Sequence, residues 1–297
     1  MAGKNLKSDA FLQVVMSCKD RVLIGGMTNE NWLVTLPDAT KVVLRIPGEA
    51  SKEFVCRQNE KNNNCLMKEF GVAPALLYFD ENSGIKITPY IEGAETLTPL
   101  SVCKHFHAVA DILTETHSSR KLFLNRFVYE DQYVLYRSLM RRCKLVEGEY
   151  VCLFDDAVQF LLNELRKIGV EWRNCHCDPV PENFIFSHGC GLKDRLYLID
   201  WEYSGLNDPY WDVAAFCEES DLNYELETEF IKIYHDGKFG SLDLARQKVL
   251  IFKILQNILW HCWTLVKEAY GEDFGAYAEK RKEAAIRQLS LYDADFR

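Results

Sequence analysis

The sequence has no block of basic residues: 35 Lys and Arg stand against 44 Asp and Glu, a formal net charge of −9. A phosphate backbone is gripped by clustered cations, so nucleic acid is not an expected partner. An acidic chain suits a cationic ligand instead. The polar residues 1–9 lack the apolar core of a signal peptide. No long run is purely apolar either. The most apolar segment, residues 249–266, carries Lys253, Gln256, Asn257 and His261, and so predicts a buried helix rather than a membrane span. The 11 cysteines follow no disulfide framework, and a chain of 297 residues needs no staples. They are expected as reduced, buried thiols in a cytoplasmic protein. Repeats, low-complexity tracts and long linkers are also absent.

What is present concentrates at residues 174–186. A polar loop, Asn174-Cys175-His176-Cys177-Asp178-Pro179-Val180-Pro181-Glu182-Asn183, runs into the apolar Phe184-Ile185-Phe186. A turn at 187–191 and a second apolar stretch at 196–199 then deliver Asp200-Trp201-Glu202. Phosphoryl transfer uses an Asp to orient the attacking hydroxyl and accept its proton, and an Asn and a second Asp to hold Mg²⁺ on the phosphates. Asn183 follows Asp178 by the interval of a kinase catalytic loop, His-x-Asp-x-x-x-x-Asn. The pattern points to a small-molecule kinase, with Asn183 and Asp200 brought together by the hairpin. Two other readings stand beside it: a plain surface turn, and a zinc site of Cys175, Cys177, His188 and Cys190.

Along the chain, residues 7–19 predict a short amphipathic helix. Strands are expected at 21–24, 32–36 and 41–46, with Gly25-Gly26-Met27-Thr28-Asn29 as the first turn. Such a glycine turn lets backbone amides approach phosphate oxygens, although an ordinary hairpin looks the same. Arg45 stands on the third strand, where a kinase keeps a cation for the α- and β-phosphates; the plain alternative is an exposed strand residue. Residues 51–70 predict a helix capped by Ser51. Glu60, beside Arg57 and Lys61, is either the acid that pairs with Arg45 or part of a solvated face. Strands at 75–79 and 85–88 surround Asn82-Ser83-Gly84, and residues 89–93 predict a hinge where adenine would meet backbone. Helices are expected at 100–117, 151–168, 210–219, 222–234, 242–270 and 273–292, with helix and loop mixed at 121–145. The fold class is α+β: a strand-rich lobe at 1–90 and a mainly helical lobe at 91–297 holding the catalytic loop and substrate pocket.

Trp260 and Trp263 share a helix face. Tyr224, Tyr270 and Tyr277 flank them in sequence, and Trp201 and Tyr203 bracket Glu202. Ring faces attract quaternary ammonium ions by about 2 kcal/mol per desolvated contact. Rings with one or two carboxylates would therefore receive a trimethylammonium group, which has no hydrogen to donate. Core packing is the plain alternative for the two tryptophans.

The stretches GGMTNENW, RQNEKNN, CHCDPVPENFIF, LYLIDWEYSGLNDPYWDVAAFCEES and GEDFGAYAEKR resemble bacterial choline kinases of the LicA type. These belong to the choline kinase and aminoglycoside phosphotransferase superfamily, which has a protein-kinase-like two-lobe fold. The resemblance runs from about residue 23 to residue 291 and is densest in the second half. It implies ATP- and Mg²⁺-dependent conversion of choline to phosphocholine. By position it makes Asp178 the base and Asn183 and Asp200 the Mg²⁺ ligands. Arg45 and Glu60 become the cation–acid pair, Arg45 being counted with Asp178 among the catalytic groups. The nucleotide would touch Gly26, Thr28, Asn29, Arg45, Glu60, Tyr90 and Ile91. Asp212 becomes a buried partner of the catalytic loop. Choline contacts map to Asp178, Tyr203, Glu219, Tyr224, Trp260, Trp263 and Tyr277. Some relatives have Lys where this chain has Arg45, whose planar fork meets phosphate differently. Many relatives have Asn or an apolar residue where Cys177 stands. Two rivals remain open: a kinase for another amino alcohol or an aminoglycoside (ethanolamine or thiamine among the candidates), and a non-catalytic quaternary-ammonium-binding module.

Overall fold

A computed structural model describes residues 2–26, 28–145, 154–188, 194–236 and 240–296. They form two compact units, one of residues 1–96 and 185–202, the other of 97–184 and 203–297. This departs from a single boundary at residue 90, because the segment after the hinge and the hairpin that ends at Asp200 both return to the first unit.

The first unit opens with α1 (Ala2–Ser17), which starts before the expected residue 7. An antiparallel sheet follows: β1 (Arg21–Gly25), β2 (Asn29–Thr35), β3 (Lys41–Pro47), β4 (Tyr78–Phe79) and β5 (Lys86–Pro89), in the order β1-β2-β3-β5-β4. The two-residue period of a strand sets its faces. Val42 and Leu44 point into a core with Val34, Ile87 and Val15, while their neighbour Arg45 points the other way, toward Glu60 of α2 (Arg57–Glu69). Ser51 caps no α-helix: residues 49–53 form a 3₁₀ turn, and α2 starts only at Arg57. The Ser51 hydroxyl instead donates to the Gly48 carbonyl and accepts from Arg57. An acid in the first turn, Glu60, complements the helix dipole there. The chain leaves α2 through Gly71 at φ +77°, a left-handed conformation that glycine adopts without strain.

Past the hinge the chain enters another strand, β6 (Ala94–Thr96), rather than a helix. β6 pairs antiparallel with β8 (Phe184–Ser187), and β9 (Arg195–Leu198) lies on the other side of β8. A backbone bond from Leu198 to the Val72 carbonyl ties β9 to the end of α2.

The second unit is helical. Its members are α3 (Phe106–His117), α4 (Tyr129–Arg142), α5 (Asp155–Ile168), α6 (Pro209–Glu219), α7 (Tyr224–His235), α8 (Leu242–Ala269) and α9 (Tyr277–Phe296). The first part of the helix expected at 151–168, residues 151–153, lies outside the described residues. A two-stranded ribbon of β7 (Arg173–Cys175) and β10 (Gly205–Asn207) completes the unit. By length and composition α8 could cross a membrane, but 89% of its apolar window is buried, with α4, α5, α6, α7 and α9 packed around it. It is the core helix, as its Lys253, Gln256, Asn257 and His261 led one to expect.

Candidate active site

In the first unit, Arg45 is nearly inaccessible, 2% exposed, and Glu60 1%. That removes the readings of an exposed strand residue and a solvated helix face. The Arg45 guanidinium donates to Glu60 at 2.9 Å, to Asp200 at 2.6 Å and to the Gly84 carbonyl at 3.1 Å. Directly opposite on β5 sits Lys86, whose ammonium reaches Glu60 at 3.1 Å and Asp200 at 3.3 Å. Like charges facing across a sheet repel; here Glu60 and Asp200 lie between them. Arg57 adds a third cation, at 2.7 Å from Glu60 and 2.9 Å from Glu202. Burial would raise the Glu60 carboxyl, but Arg45 and Lys86 hold it down at about 2. Burial would likewise lower Arg45, and Glu60, Asp200 and Glu202 raise it instead. Glu202 goes the other way: burial and the nearby Asp200 raise it despite Arg45 and Arg57. Oxygens of Glu60, Asp200 and Glu202 lie within 4.8 Å of one another, and Asp200 is the most accessible, its side chain 27% exposed.

The expected nucleotide contacts divide. Gly26 has φ +129°, and a Cβ there would lie 1.7 Å from the Asn29 carbonyl oxygen, so the turn admits only glycine. The Thr28 carbonyl accepts from the Gly48 amide, which extends the β2–β3 pairing past Asn29 and Pro47. Asn29 is buried at 6% exposure, and its amide donates to Glu202 at 3.5 Å, so it faces the acid cluster. At the hinge, the Tyr90 amide donates to the Lys41 carbonyl and the Ile91 carbonyl accepts from Ala94.

In the second unit, Asp212 of α6 is fully buried and accepts from the His176 and Cys177 amides at 2.7 and 2.8 Å. His117 holds Asp212 from the other side at 3.0 Å and meets the Tyr234 hydroxyl at 2.7 Å. The loop is thus fixed by backbone bonds to one buried carboxylate. Cys177 itself takes φ +68°. The Asn183 side-chain nitrogen donates to the Asp178 carbonyl at 2.9 Å, which leaves its Oδ1 to offer to a cation. Burial pushes the Cys175 and Cys177 thiols far above their usual range, and the two sulfurs face the Asn207 and Cys175 carbonyls at 3.4 and 3.8 Å. The fourth member of the zinc reading, Cys190, lies outside the described residues.

Trp260 and Trp263 stand edge-on to each other at 6.0 Å. Tyr203 meets Trp260 at 5.3 Å and accepts from the Trp263 indole at 3.1 Å. Phe274, which sequence reading passed over, lies 5.2 Å from Trp263. One turn back along α8, Asn257 accepts from Arg281 of α9 at 2.9 Å, and Arg281 pairs with Glu219 and Tyr277. Asp178 acts electrostatically on both Tyr277 and Arg281. One group therefore gathers Asp178, Tyr203, Glu219, Trp260, Trp263 and Tyr277.

Tyr224 is not part of this group. It is 64% exposed, and its ring is covered by Arg246, whose guanidinium carbon lies 5.1 Å from the centroid. Arg246 precedes Trp260 by fourteen residues of α8, about 21 Å along the axis. A ring already capped by a cation at that distance cannot join the cage.

Lys86, Phe274, Arg281 and His117 were not read from the sequence as site members. Lys86 left a trace as a cation beginning an apolar strand, and Phe274 and Arg281 lie within the stretch GEDFGAYAEKR without a role assigned to them.

A sheet unit with a buried cation–acid pair, and a helical unit with an H-x-D loop hung from a buried aspartate, define the kinase-like class of phosphotransferases. Within it, the chain belongs to the choline/ethanolamine kinase family, whose profile matches residues 21–241. Protein LicA of Haemophilus influenzae is 35% identical over 273 residues, covering 90% of this chain and 78% of that protein. The crystal structure of choline kinase LicA from Streptococcus pneumoniae superposes with a TM-score of 0.82 at 34% identity, over 97% of this chain and 99% of that one. A crystal structure of LicA in complex with AMP gives 0.78 at 33% identity, over 97% and 98%. The chain is accordingly an ATP-dependent kinase of this family.

Proposed function

We propose that the protein transfers the γ-phosphoryl group of ATP to the hydroxyl of choline, giving phosphocholine and ADP. The observation that carries the choice of acceptor is the ring group of Tyr203, Trp260 and Trp263, gathered in the same unit as Asp178. Ring faces hold a quaternary ammonium ion without hydrogen bonds. Asp178 orients the choline hydroxyl and takes its proton as the phosphoryl group is attacked in line, while Asp212 keeps the loop rigid through the two amides it accepts.

Asn183 and Asp200 are the proposed Mg²⁺ ligands. The Asn183 Oδ1 and the accessible Asp200 carboxylate are the hard oxygen donors that ion takes. Bound Mg²⁺ would neutralise charge on the triphosphate. Arg45 and Lys86 keep Asp200 and Glu60 in place, and Lys86 offers a second cation toward the phosphates. The turn at Gly26 and the backbone at Tyr90 and Ile91 would cover the nucleotide. The nine described cysteines are free, which fits the reducing cytoplasm as its location, although only four are buried and Cys56, Cys65 and Cys103 are exposed, against the expectation of buried thiols.

The test is Mg²⁺-dependent ADP release by purified protein on addition of choline, ethanolamine or an aminoglycoside. Choline is expected to be the preferred acceptor. Release only with an aminoglycoside, or with none of the three, would overturn the proposal.

A further inference from the structure

Glu219, an expected choline contact, is already occupied. Arg281, 6% exposed, pairs with it, and the same guanidinium lies 4.6 Å from the centroid of the Tyr277 ring, bonds the Tyr277 hydroxyl and donates to Asn257 at 2.9 Å. The Tyr277 hydroxyl lies 3.5 Å from Glu219 as well. The adjacent acid Glu218 is bonded by Asn257, Gln288 and Lys253. Burial lowers the Arg281 guanidinium to about 10, against the pull of Glu218 and Asp178, so it stays cationic at neutral pH.

We infer that Arg281 is a specificity-determining residue: by occupying Glu219 it withdraws that carboxylate from an incoming ammonium group while leaving the ring faces, and so favours a quaternary over a primary ammonium group. This rests on the choline reading above. A primary ammonium carries three N–H donors, each costly to bury without an acceptor. A trimethylammonium has none and is held by ring faces alone. Asn257, which bonds Arg281, is one helical turn from Trp260, so the pairing lies beside the rings.

The unaltered protein gives the first reading. Across ethanolamine, its N-methyl and N,N-dimethyl derivatives and choline, kcat/KM is expected to rise at each methylation. Arg281→Met and Arg281→Gln, which remove the charge, are expected to reduce the choline-to-ethanolamine ratio of kcat/KM at least about tenfold, mainly through a lower KM for ethanolamine. Arg281→Lys keeps the charge and should keep most of the preference. Adding Glu219→Gln to Arg281→Met should take the ethanolamine gain away again, since the freed carboxylate is what the primary amine uses. If Arg281 were merely structural, its variants would lose activity on both acceptors alike, with the ratio unchanged. That result, or a flat methylation series with choline phosphorylated, overturns the inference while leaving the choline reading intact. Should no member of the series be phosphorylated, the choline reading itself fails. The series needs no variant, so it decides even if the substituted proteins do not fold.

Discussion

Two site residues without a glycine's freedom sit in the left-handed region: Cys177 at φ +68° and Asp200 at φ +67°. Such conformations cost on the order of 1–3 kcal/mol and are kept where surrounding bonds enforce them. At Cys177 the enforcing bonds are the two amides taken by Asp212; at Asp200 they are Arg45 and Lys86. Asp178→Asn keeps the shape and removes the base, so turnover should fall by about 10²–10⁴ while choline still binds, as measured by steady-state kinetics and by calorimetry with choline. Unchanged turnover would take the base role from Asp178. Lys86→Met should raise the KM for ATP about tenfold or more, with the choline KM little moved, because a phosphate-side cation is lost. Lys86→Arg should recover most of it. Equal effects on both substrates would make Lys86 a support of the sheet only.

At the scale of elements, legibility followed local chemistry. The strands expected at 21–24, 32–36 and 41–46 from apolar runs and glycine turns appear at 21–25, 29–35 and 41–47, the second starting three residues early, and α8 is announced by a long apolar pattern. The start of α2 was misplaced because Ser51 has the composition of a cap, but its hydroxyl partners lie in the turn before it and in Arg57. Tyr224 was misplaced because nearness to α8 in sequence says nothing of where along a 28-residue helix the contact falls. Arg281 was invisible because its partner Glu219 is 62 residues away. A lysine on a strand, such as Lys86, reads as solvent-facing unless its partners are known. Two substitutions check these placements. Trp260→Ala should raise the choline KM with that for ATP unmoved, whereas Tyr224→Ala should leave both near their original values. A choline defect in the second comparable to the first would return Tyr224 to the pocket. Gly26→Ala should raise the KM for ATP and lower thermal stability, since a methyl group cannot share space with the Asn29 carbonyl.

For the whole molecule, the chain passes between its units after residues 96, 184 and 202, a discontinuity that a reading along the sequence renders as one boundary. The buried charges of the first unit are the other property that belongs to the fold as a whole, and they set an acid limit on its stability. Glu60 is held at about 2 against an ordinary 4.5. Between those values the unfolded chain takes up a proton that the folded chain refuses, so the contribution is complete above pH 4.5 and is lost as pH falls toward 2. A shift of that size corresponds to about 3 kcal/mol at neutral pH. Glu202 has the opposite sign: its raised carboxyl costs stability when ionised, and the cost is relieved as pH falls through its folded value. Denaturant titrations of the unaltered protein and of Glu60→Gln should therefore differ by about 3 kcal/mol at pH 7 and converge as pH falls below 4.5. Glu202→Gln should be near neutral or stabilising at pH 7, with any advantage fading in acid. A Glu60→Gln deficit that stays constant from pH 7 to pH 3 would mean that Glu60 contributes by shape and hydrogen bonding alone, and that the paired cations do not hold its proton off.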